Sequence, residues 1–260
     1  MTEAADILKV FLTGASSGIG AALARHYARS GAAVGLCARR LDQLQAVASG
    51  LDAPSACYRA DVTDAAAMQA AAADFLRRFG APDIVVANAG ISSGTLTEEV
   101  GDGEAFRRIM EVNVLGLVNT FQPFIAPLRQ RGRGTLVGIA SVAGFRGLPG
   151  GGAYSASKAA AIAYLESLRV ELRGAGIAVV TLCPGYIATP MTAGNPYRMP
   201  FLLDADEAAR RFARAIAAKR RLAVIPWQMA AVSVLLRRIP PWLYDRLFAR
   251  APRKPRESRL

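Results

Sequence analysis

The sequence predicts a doubly wound α/β domain, in which a parallel β-sheet is covered by helices on both faces. Short apolar runs alternate with helical stretches along the 260-residue chain, a rhythm typical of repeated strand–helix–strand units. No internal repeat or flexible linker divides the chain, and its length is sufficient for one large core. The predicted strands are residues 7–12, 33–38, 56–60, 83–87, 135–140, 177–183 and 222–225.

The first predicted strand leads into a glycine-rich turn, residues 13–20, and then into a helix. In such a phosphate-binding unit, Gly14 permits the tight turn, Gly18 lets the main chain approach a pyrophosphate, and Gly20 lets the helix pack on the strand. The helix N-terminus supplies free N–H groups and a positive dipole end. The turn predicts a Rossmann-like dinucleotide site, with an ordinary strand-to-helix loop as the alternative. Its predicted cofactor contacts are Gly14, Ser16, Ser17, Gly18, Ile19 and Gly20.

The second predicted strand ends in Arg39 and Arg40, at the place where an NAD site usually has an acidic residue for the ribose 2′-hydroxyl. A guanidinium is a better match for a 2′-phosphate than for a hydroxyl, because its planar fork can bind two phosphate oxygens at once. The pair therefore favours NADP(H) over NAD(H). The alternative is that both arginines are the solvated start of the next helix.

Tyr154 and Lys158 are four residues apart in a predicted helix, and this spacing places both side chains on one face. An ammonium beside a phenol favours the phenolate, so the spacing predicts a tyrosine pKa below its ordinary value of about 10. Such a tyrosine can exchange a proton with a substrate oxygen near neutral pH. A surface helix that merely carries both residues is the alternative.

Several of these residues fall in the order and spacing of the classical short-chain dehydrogenases/reductases, which the chain resembles from about residue 5 to residue 226. The residues that carry the resemblance are Thr13 to Gly20, Asn88, Ala89, Gly90, Asn113, Ser141, Tyr154, Lys158, Pro184 and Gly185.

The resemblance implies four catalytic residues. Tyr154 is then the acid/base, and Lys158 lowers the tyrosine pKa and holds the nicotinamide ribose. Ser141 orients and polarises the substrate carbonyl, and Asn113 keeps a relay water in place behind the lysine. These roles imply hydride transfer between NADP(H) and a carbonyl or alcohol carbon.

The resemblance also places the remaining cofactor contacts and an assembly. Asp61 and Val62 are expected against the adenine, and the Asn88–Gly90 turn against the adenosine side. Helices over 104–128 and 153–174 are expected to pair with their copies, which implies a homodimer, with a tetramer as the alternative. The contacts implied near the nicotinamide carboxamide are Pro184, Gly185, Ile187 and Thr189.

The position of residues 189–205 is that of the variable substrate loop in this family. Its apolar side chains, Met191 among them, and Phe145 after Ser141 predict a pocket for a hydrophobic ketone or secondary alcohol. The alternative is that these apolar side chains pack on the core or on the C-terminal tail. The predicted substrate contacts are Ser141, Tyr154, Phe145 and Met191. A cofactor sensor or a membrane-surface scaffold with little turnover is the alternative function, although a complete catalytic set argues against it.

The net charge of +12 is concentrated near the C-terminus, where residues 219–260 hold eleven Lys or Arg and two acids. We expect residues 1–226 to form the dehydrogenase domain and residues 227–260 a basic amphipathic extension. Three alternatives stay open for the extension: it docks on its own domain and roofs the cleft, it binds an anionic membrane surface, or it binds nucleic acid. The last is the least favoured, since no nucleic-acid-reading motif is present.

The composition predicts a reduced, cytoplasmic protein that uses no metal. The cysteines Cys37, Cys57 and Cys183 show no zinc-ligand spacing and lie in or near predicted strands. The single histidine, His26, is expected at the surface of the first helix. Residues 1–6 predict neither a signal peptide nor a membrane span, so any membrane contact should be peripheral.

Overall fold

The computed structural model describes residues 7–256; the expectation for residues 1–6 and the last four residues of the extension lie outside this part. Seven parallel strands form one sheet in the order β3-β2-β1-β4-β5-β6-β7, so the predicted doubly wound α/β fold is confirmed. The strands are β1 Lys9–Thr13, β2 Ala33–Ala38, β3 Ser55–Arg59, β4 Ile84–Ala87, β5 Gly134–Ile139, β6 Ile177–Pro184 and β7 Leu222–Ile225. Each differs from its prediction by no more than two residues at either end.

Ten α-helices lie among the described residues and cover both faces of the sheet. They are α1 Gly18–Arg29, α2 Leu41–Ala48, α3 Ala65–Phe79, α4 Asp102–Met110, α5 Gly116–Arg131, α6 Gly152–Glu171, α7 Pro190–Ala193, α8 Ala205–Ala217, α9 Trp227–Arg238 and α10 Pro241–Phe248.

Alternate residues of β1 belong to two separate hydrophobic cores, because successive side chains of a strand point to opposite faces of the sheet. Val10 and Leu12 belong to the core under α1, α2 and α8. Phe11 belongs to the core under α3, α5 and α6, where it contacts the rings of Phe75 and Phe124. Because the four side chains from Val10 to Thr13 are fully buried, β1 is held on both faces at the centre of the sheet.

The helix predicted over residues 104–128 is continuous from α4 to α5, but a π-helical turn at Glu111–Leu115 joins the two parts. Residues 102–131 are long and apolar enough to cross a membrane by length and composition alone. Phe121, Phe124 and Leu128 are nevertheless fully buried against the sheet, as in a core helix. The π turn holds Asn113, one of the predicted catalytic residues, and such turns frequently occur at functional sites.

The extension packs on its own domain through the segment that follows β5. Arg146 Nη1 donates to the main-chain oxygens of Leu236 and Ile239, both at 2.9 Å, and its guanidinium lies 4.2 Å from the ring centroid of Tyr244. The hydroxyl of Tyr244 donates to the main-chain oxygen of Gly147. These contacts correspond to the docking alternative for the extension and leave the outer side of α9 and α10 uncovered.

Candidate active site

A cleft opens at the carboxyl ends of the strands, where the strand order reverses between β1 and β4. In open α/β sheets ligands bind at this point. The cleft collects most of the predicted site residues: Gly14, Ser16, Ser17, Gly18, Ile19, Arg39, Arg40, Asp61, Val62, Asn88, Ala89, Gly90, Ser141, Tyr154, Lys158, Pro184, Gly185, Ile187, Thr189 and Met191.

The glycine-rich turn forms a cradle that fits a dinucleotide phosphate. Gly14 has a φ of +64°, and a Cβ there would lie 2.8 Å from the main chain of Ala89. A Cβ on Gly20 would lie 2.2 Å from the oxygen of Gly14, so Gly20 lets α1 approach the turn and does not itself line the cleft. Ser17 caps α1 without a side-chain hydrogen bond, and the first turn holds no acid. The N–H groups and positive dipole of α1 are therefore available to an anion.

Arg39 and Arg40 lie at the adenosine end of the cleft, and neither is committed to a strong partner. Arg40 Nη2 is 3.5 Å from Ser16 Oγ, and Arg39 Nη1 is 3.9 Å from Asp61 Oδ2. Burial opposes ionisation of Asp61, but hydrogen bonds from Thr63 and Arg108 outweigh it and hold the carboxyl pKa below its ordinary value. Asp61 thus stays charged and is satisfied mainly by these two residues.

Tyr154 and Ser141 both line the inner end of the cleft, where the Ser141 side chain is close enough to influence the pKa of the phenol. Ser141 is buried at the end of β5 and caps a 3-10 turn, accepting the N–H of Ala143 at 3.1 Å. Burial raises the pKa of Tyr154 above its ordinary value, and the neighbouring Ser141 hydroxyl opposes this shift without cancelling it. The four-residue spacing of Tyr154 and Lys158 predicted a lowered pKa, and this direction is wrong because the phenol is buried.

Lys158 is buried beside Tyr154, with Nζ 5.7 Å from the centre of the phenol ring. Its ammonium donates to the main-chain oxygen of Ile139 at 2.9 Å. Burial lowers the pKa of Lys158 to about 8. The lysine can therefore lose its proton at mildly alkaline pH, and it does not act on the tyrosine as a permanent charge.

Asn113 lies in the π turn, behind Lys158, and not on the wall of the cleft. Its Oδ1 accepts the N–H of Ile91 at 2.9 Å, and its Nδ2 donates to the Ile91 oxygen at 3.0 Å and to Ser157 Oγ at 2.9 Å. The side chain is thus fully engaged and ties the π turn to the Asn88–Gly90 segment and to α6. A Cβ on Gly90 would lie 3.2 Å from Asn113 Oδ1, so the two segments are in direct contact.

Comparison with known proteins agrees with this arrangement. The family model for short chain dehydrogenases matches residues 9–198, which is well over half of the chain. The chain is a short-chain dehydrogenase.

Relatives of this dehydrogenase and solved structures extend over most of its length. An uncharacterised oxidoreductase of Myxococcus xanthus is 39% identical over 237 residues, covering 90% of this chain and 93% of the relative. An 11-beta-hydroxysteroid dehydrogenase A of Sesamum indicum is 40% identical over 72% of this chain and 55% of its own. An alcohol dehydrogenase of Thermococcus sibiricus, complexed with 5-hydroxy-NADP, is 31% identical, covers 84% of this chain and 96% of its own, and superposes with a TM-score of 0.74. The chain is thus an oxidoreductase whose fold binds a nicotinamide cofactor.

The substrate side of the dehydrogenase differs from the prediction at one residue. Met191 lines the cleft, and its main-chain oxygen lies 3.3 Å from Nζ of Lys254 in the extension. Phe145 does not line the cleft. The guanidinium of Arg237 lies 5.7 Å from the centre of its ring, so Phe145 faces α9. The reason is that the 3-10 turn after Ser141 directs the chain towards the extension.

The last described residues of the extension reach the mouth of the cleft. The N–H of Gly94 donates to the oxygen of Pro255 at 2.9 Å, and Arg253 lies against Gly150. Arg256 Nε donates to both carboxylate oxygens of Asp102, at 2.9 and 3.2 Å. We call residues 251–256 with these contacts the C-terminal clasp. No local sequence pattern predicts the C-terminal clasp, because the residues that it contacts lie far away along the chain.

Other residues of the site were missed for identifiable reasons. Cys183 matches the description of a core hydrophobe, but it directly precedes Pro184 and lies close to Lys158 and Ser141; burial raises the pKa of its thiol to about 12. Ser157 adjoins Lys158 in sequence and anchors Asn113. The small and apolar residues that complete the cleft carry no motif; they are Ala38, Ala60, Ile91, Val112, Ile139, Ala140, Pro190 and Thr192.

Proposed function

We propose that this dehydrogenase interconverts a hydrophobic ketone and a secondary alcohol with NADP(H). The observation that carries the proposal is the position of Tyr154 and Ser141 together at the inner end of a cleft whose other end has a phosphate cradle. Both hydroxyls can then reach one substrate oxygen next to the nicotinamide end of a bound dinucleotide. The apolar exposed side chain of Met191 beside them suits an apolar substrate.

Each side chain has a role that follows from its surroundings. The raised pKa of Tyr154 keeps its proton on the phenol at neutral pH, ready to be donated to a developing alkoxide. Ser141 donates a hydrogen bond to the same oxygen as negative charge builds there. Lys158 and Asn113 hold this end of α6 in place through the Ile139 and Ile91 main chains. The nicotinamide, when bound, supplies or accepts the hydride.

The preference for NADP(H) is supported by Arg39, Arg40 and Ser16 at the adenosine end of the cleft. The two guanidiniums have only long contacts with protein groups, and a 2′-phosphate would give them the bidentate partner that they lack. Asp61, the nearest acid, accepts from Thr63 and Arg108, so it does not replace a phosphate as the main partner of Arg39.

Replacing Tyr154 by phenylalanine tests the catalytic assignment. We expect Tyr154→Phe to abolish NADPH oxidation across a panel of apolar ketones while NADPH still binds, because only the proton donor is removed. Tyr164→Phe, on the same helix and outside the cleft, is the matched control and should remain active. Substantial turnover by Tyr154→Phe would show that another group donates the proton.

Arg39→Asp tests the cofactor preference. A charge-assisted hydrogen bond contributes about 1.5–3 kcal/mol, so its loss should weaken NADPH binding by roughly 10- to 150-fold while NADH binding improves or stays unchanged. Arg29→Asp makes the same charge change at the far end of α1 and should alter neither affinity. An unchanged ratio of NADPH to NADH affinity in Arg39→Asp would remove Arg39 from the cofactor site.

We also propose that the enzyme assembles as a homodimer through the helical stretch 102–131 and α6. The apolar side chains of Phe106, Leu115 and Val170 are exposed on these helices. Sedimentation velocity should give a dimer for the wild type and a monomer for Val170→Glu. A monomeric or tetrameric wild type would contradict the proposal.

A further inference from the structure

Both tryptophans of the chain lie exposed on the extension. Trp227 at the start of α9 is 71% exposed, and Trp242 near the start of α10 is 69% exposed. Val234, Leu235 and Leu247 on the same two helices are each more than half exposed. Together these five side chains form what we call the α9–α10 face. Such a concentration of exposed apolar side chains is unusual in a protein that has no partner for them.

The α9–α10 face is not the side by which α9 joins the domain. Met229 and Ser233 are buried, and they lie on the opposite side of α9 from Trp227 and Val234. An ordinary surface helix has one apolar stripe, which it buries, and a polar stripe, which it exposes. In α9 the inner stripe packs on the domain, and the apolar side chains of the outer stripe are each more than half exposed.

Arginines border the α9–α10 face. Residues 227–250 contain four arginines, Arg237, Arg238, Arg246 and Arg250, and a single acid, Asp245. Arg246 follows Trp242 by four residues and therefore shares its side of α10. Aromatic and aliphatic side chains bordered by arginines are the combination by which helices bind in the plane of an anionic membrane interface. We propose that the α9–α10 face docks on an anionic lipid bilayer.

The charge of the face argues against a second copy of the chain as its occupant. A twofold interface would place the same arginine-rich surface against itself, and like charges across an interface are unfavourable. A nucleic acid would satisfy the arginines but would leave Val234, Leu235 and Leu247 without apolar contacts. Anionic lipid satisfies both parts of the face at once.

The face is physically joined to the substrate side of the cleft. Arg146 binds the end of α9 and the ring of Tyr244, and Arg237 lies over Phe145, four residues after Ser141. Docking would therefore hold the cleft close to the bilayer surface. This proposal does not depend on the reaction assigned to the cleft, and its test uses no turnover.

Intrinsic fluorescence tests the proposal directly, because the chain has no tryptophan outside this face. We expect a blue shift when the full chain is mixed with phosphatidylcholine vesicles that contain phosphatidylglycerol, and quenching by brominated acyl chains. Pure phosphatidylcholine vesicles should have little effect, and high salt should weaken the response. The absence of both shift and co-flotation with anionic vesicles would overturn the proposal.

Paired charge reversals separate the face from the overall charge. Arg238→Glu with Arg246→Glu should weaken binding to anionic vesicles at least tenfold. Arg29→Glu with Arg59→Glu makes the same net change at exposed positions on α1 and β3, away from the proposed dimer interface, and should bind nearly as the wild type does. An equal loss of vesicle binding in both double variants would show that net charge alone drives binding, and this result would refute the proposal. A lipid-free blue shift that grows with protein concentration would assign the face to a second copy, and a shift with DNA alone would assign it to nucleic acid; each refutes the proposal.

Discussion

Lys158 makes the stability of the protein depend on pH in a direction that the structure fixes. Burial lowers the pKa of Lys158 from 10.5 to about 8 in the folded state. Between these two values the unfolded chain holds the lysine proton and the folded protein does not. Stability rises with pH wherever the unfolded state binds more protons. The Lys158 contribution should therefore rise from about pH 8 and level off near the ordinary lysine pKa.

The size of this rise follows from the same two pKa values. With a folded pKa of about 8 and an unfolded value of 10.5, the linkage relation gives a gain of about 2 kcal/mol between about pH 7 and pH 9.5. This window lies below the ordinary pKa of tyrosine, which limits any contribution from the raised pKa of Tyr154. Other groups that titrate in the window are common to the wild type and a Lys158 variant.

The assay is urea unfolding at several pH values for the wild type and for Lys158→Met, which keeps the length of the side chain. The difference in unfolding free energy between the two proteins should change by about 2 kcal/mol in favour of the wild type from pH 7 to 9.5. Lys219→Met removes an exposed lysine and is the control; it should follow the wild type. A constant difference for Lys158→Met, or a change of opposite sign, would refute the argument from burial.

Three further changes have expected outcomes. Gly20→Ala would place a methyl group 2.2 Å from the main-chain oxygen of Gly14, so urea unfolding should show a loss of about 1–3 kcal/mol and NADPH titration a weaker affinity. Gly94→Ala would place a methyl group 2.2 Å from a main-chain oxygen of the C-terminal clasp and should displace the clasp. Gly101→Ala is the control, because its methyl group would meet no atom within 4 Å. Trypsin should therefore cut the clasp faster in Gly94→Ala only. Asn113→Ala loses three hydrogen bonds, so its free energy of unfolding should be about 2–4 kcal/mol lower than that of the wild type. An unchanged urea midpoint in that variant would show that the π turn does not depend on its asparagine.

The sequence predicted the structure best where a local residue pattern is compatible with only one backbone conformation. The β1–turn–α1 unit was predictable because the turn can be built only with glycine at two positions. Gly14 adopts a positive φ, and at Gly20 a side chain would collide with the main chain of the turn. Glycines at this spacing after an apolar strand are recognisable in the sequence. Tyr154 and Lys158 were placed on one helix face by their spacing, as the structure has them.

Other features depended on contacts that spacing does not encode. The direction of the Tyr154 pKa shift is set by burial, and the burial of a side chain does not follow from the distance between two residues in a helix. Phe145 was expected in the cleft because it follows Ser141, but Arg237, ninety-two residues later, covers its ring. The ion pair of Arg256 with Asp102 likewise joins residues 154 positions apart.

Because of the C-terminal clasp, a tag or label fused after the clasp lies nearer to the cleft than one fused before β1. A purification tag or fluorescent label added after Leu260 would follow Arg256 by a few residues. The guanidinium of Arg256 binds Asp102, and nearby Lys254 reaches Met191 on the wall of the cleft. The start of β1 at Lys9 lies at the opposite edge of the sheet, since the cleft is at the carboxyl ends of the strands. An enzyme tagged at its C-terminus and found inactive would therefore report on the tag, and the N-terminus is the end to modify.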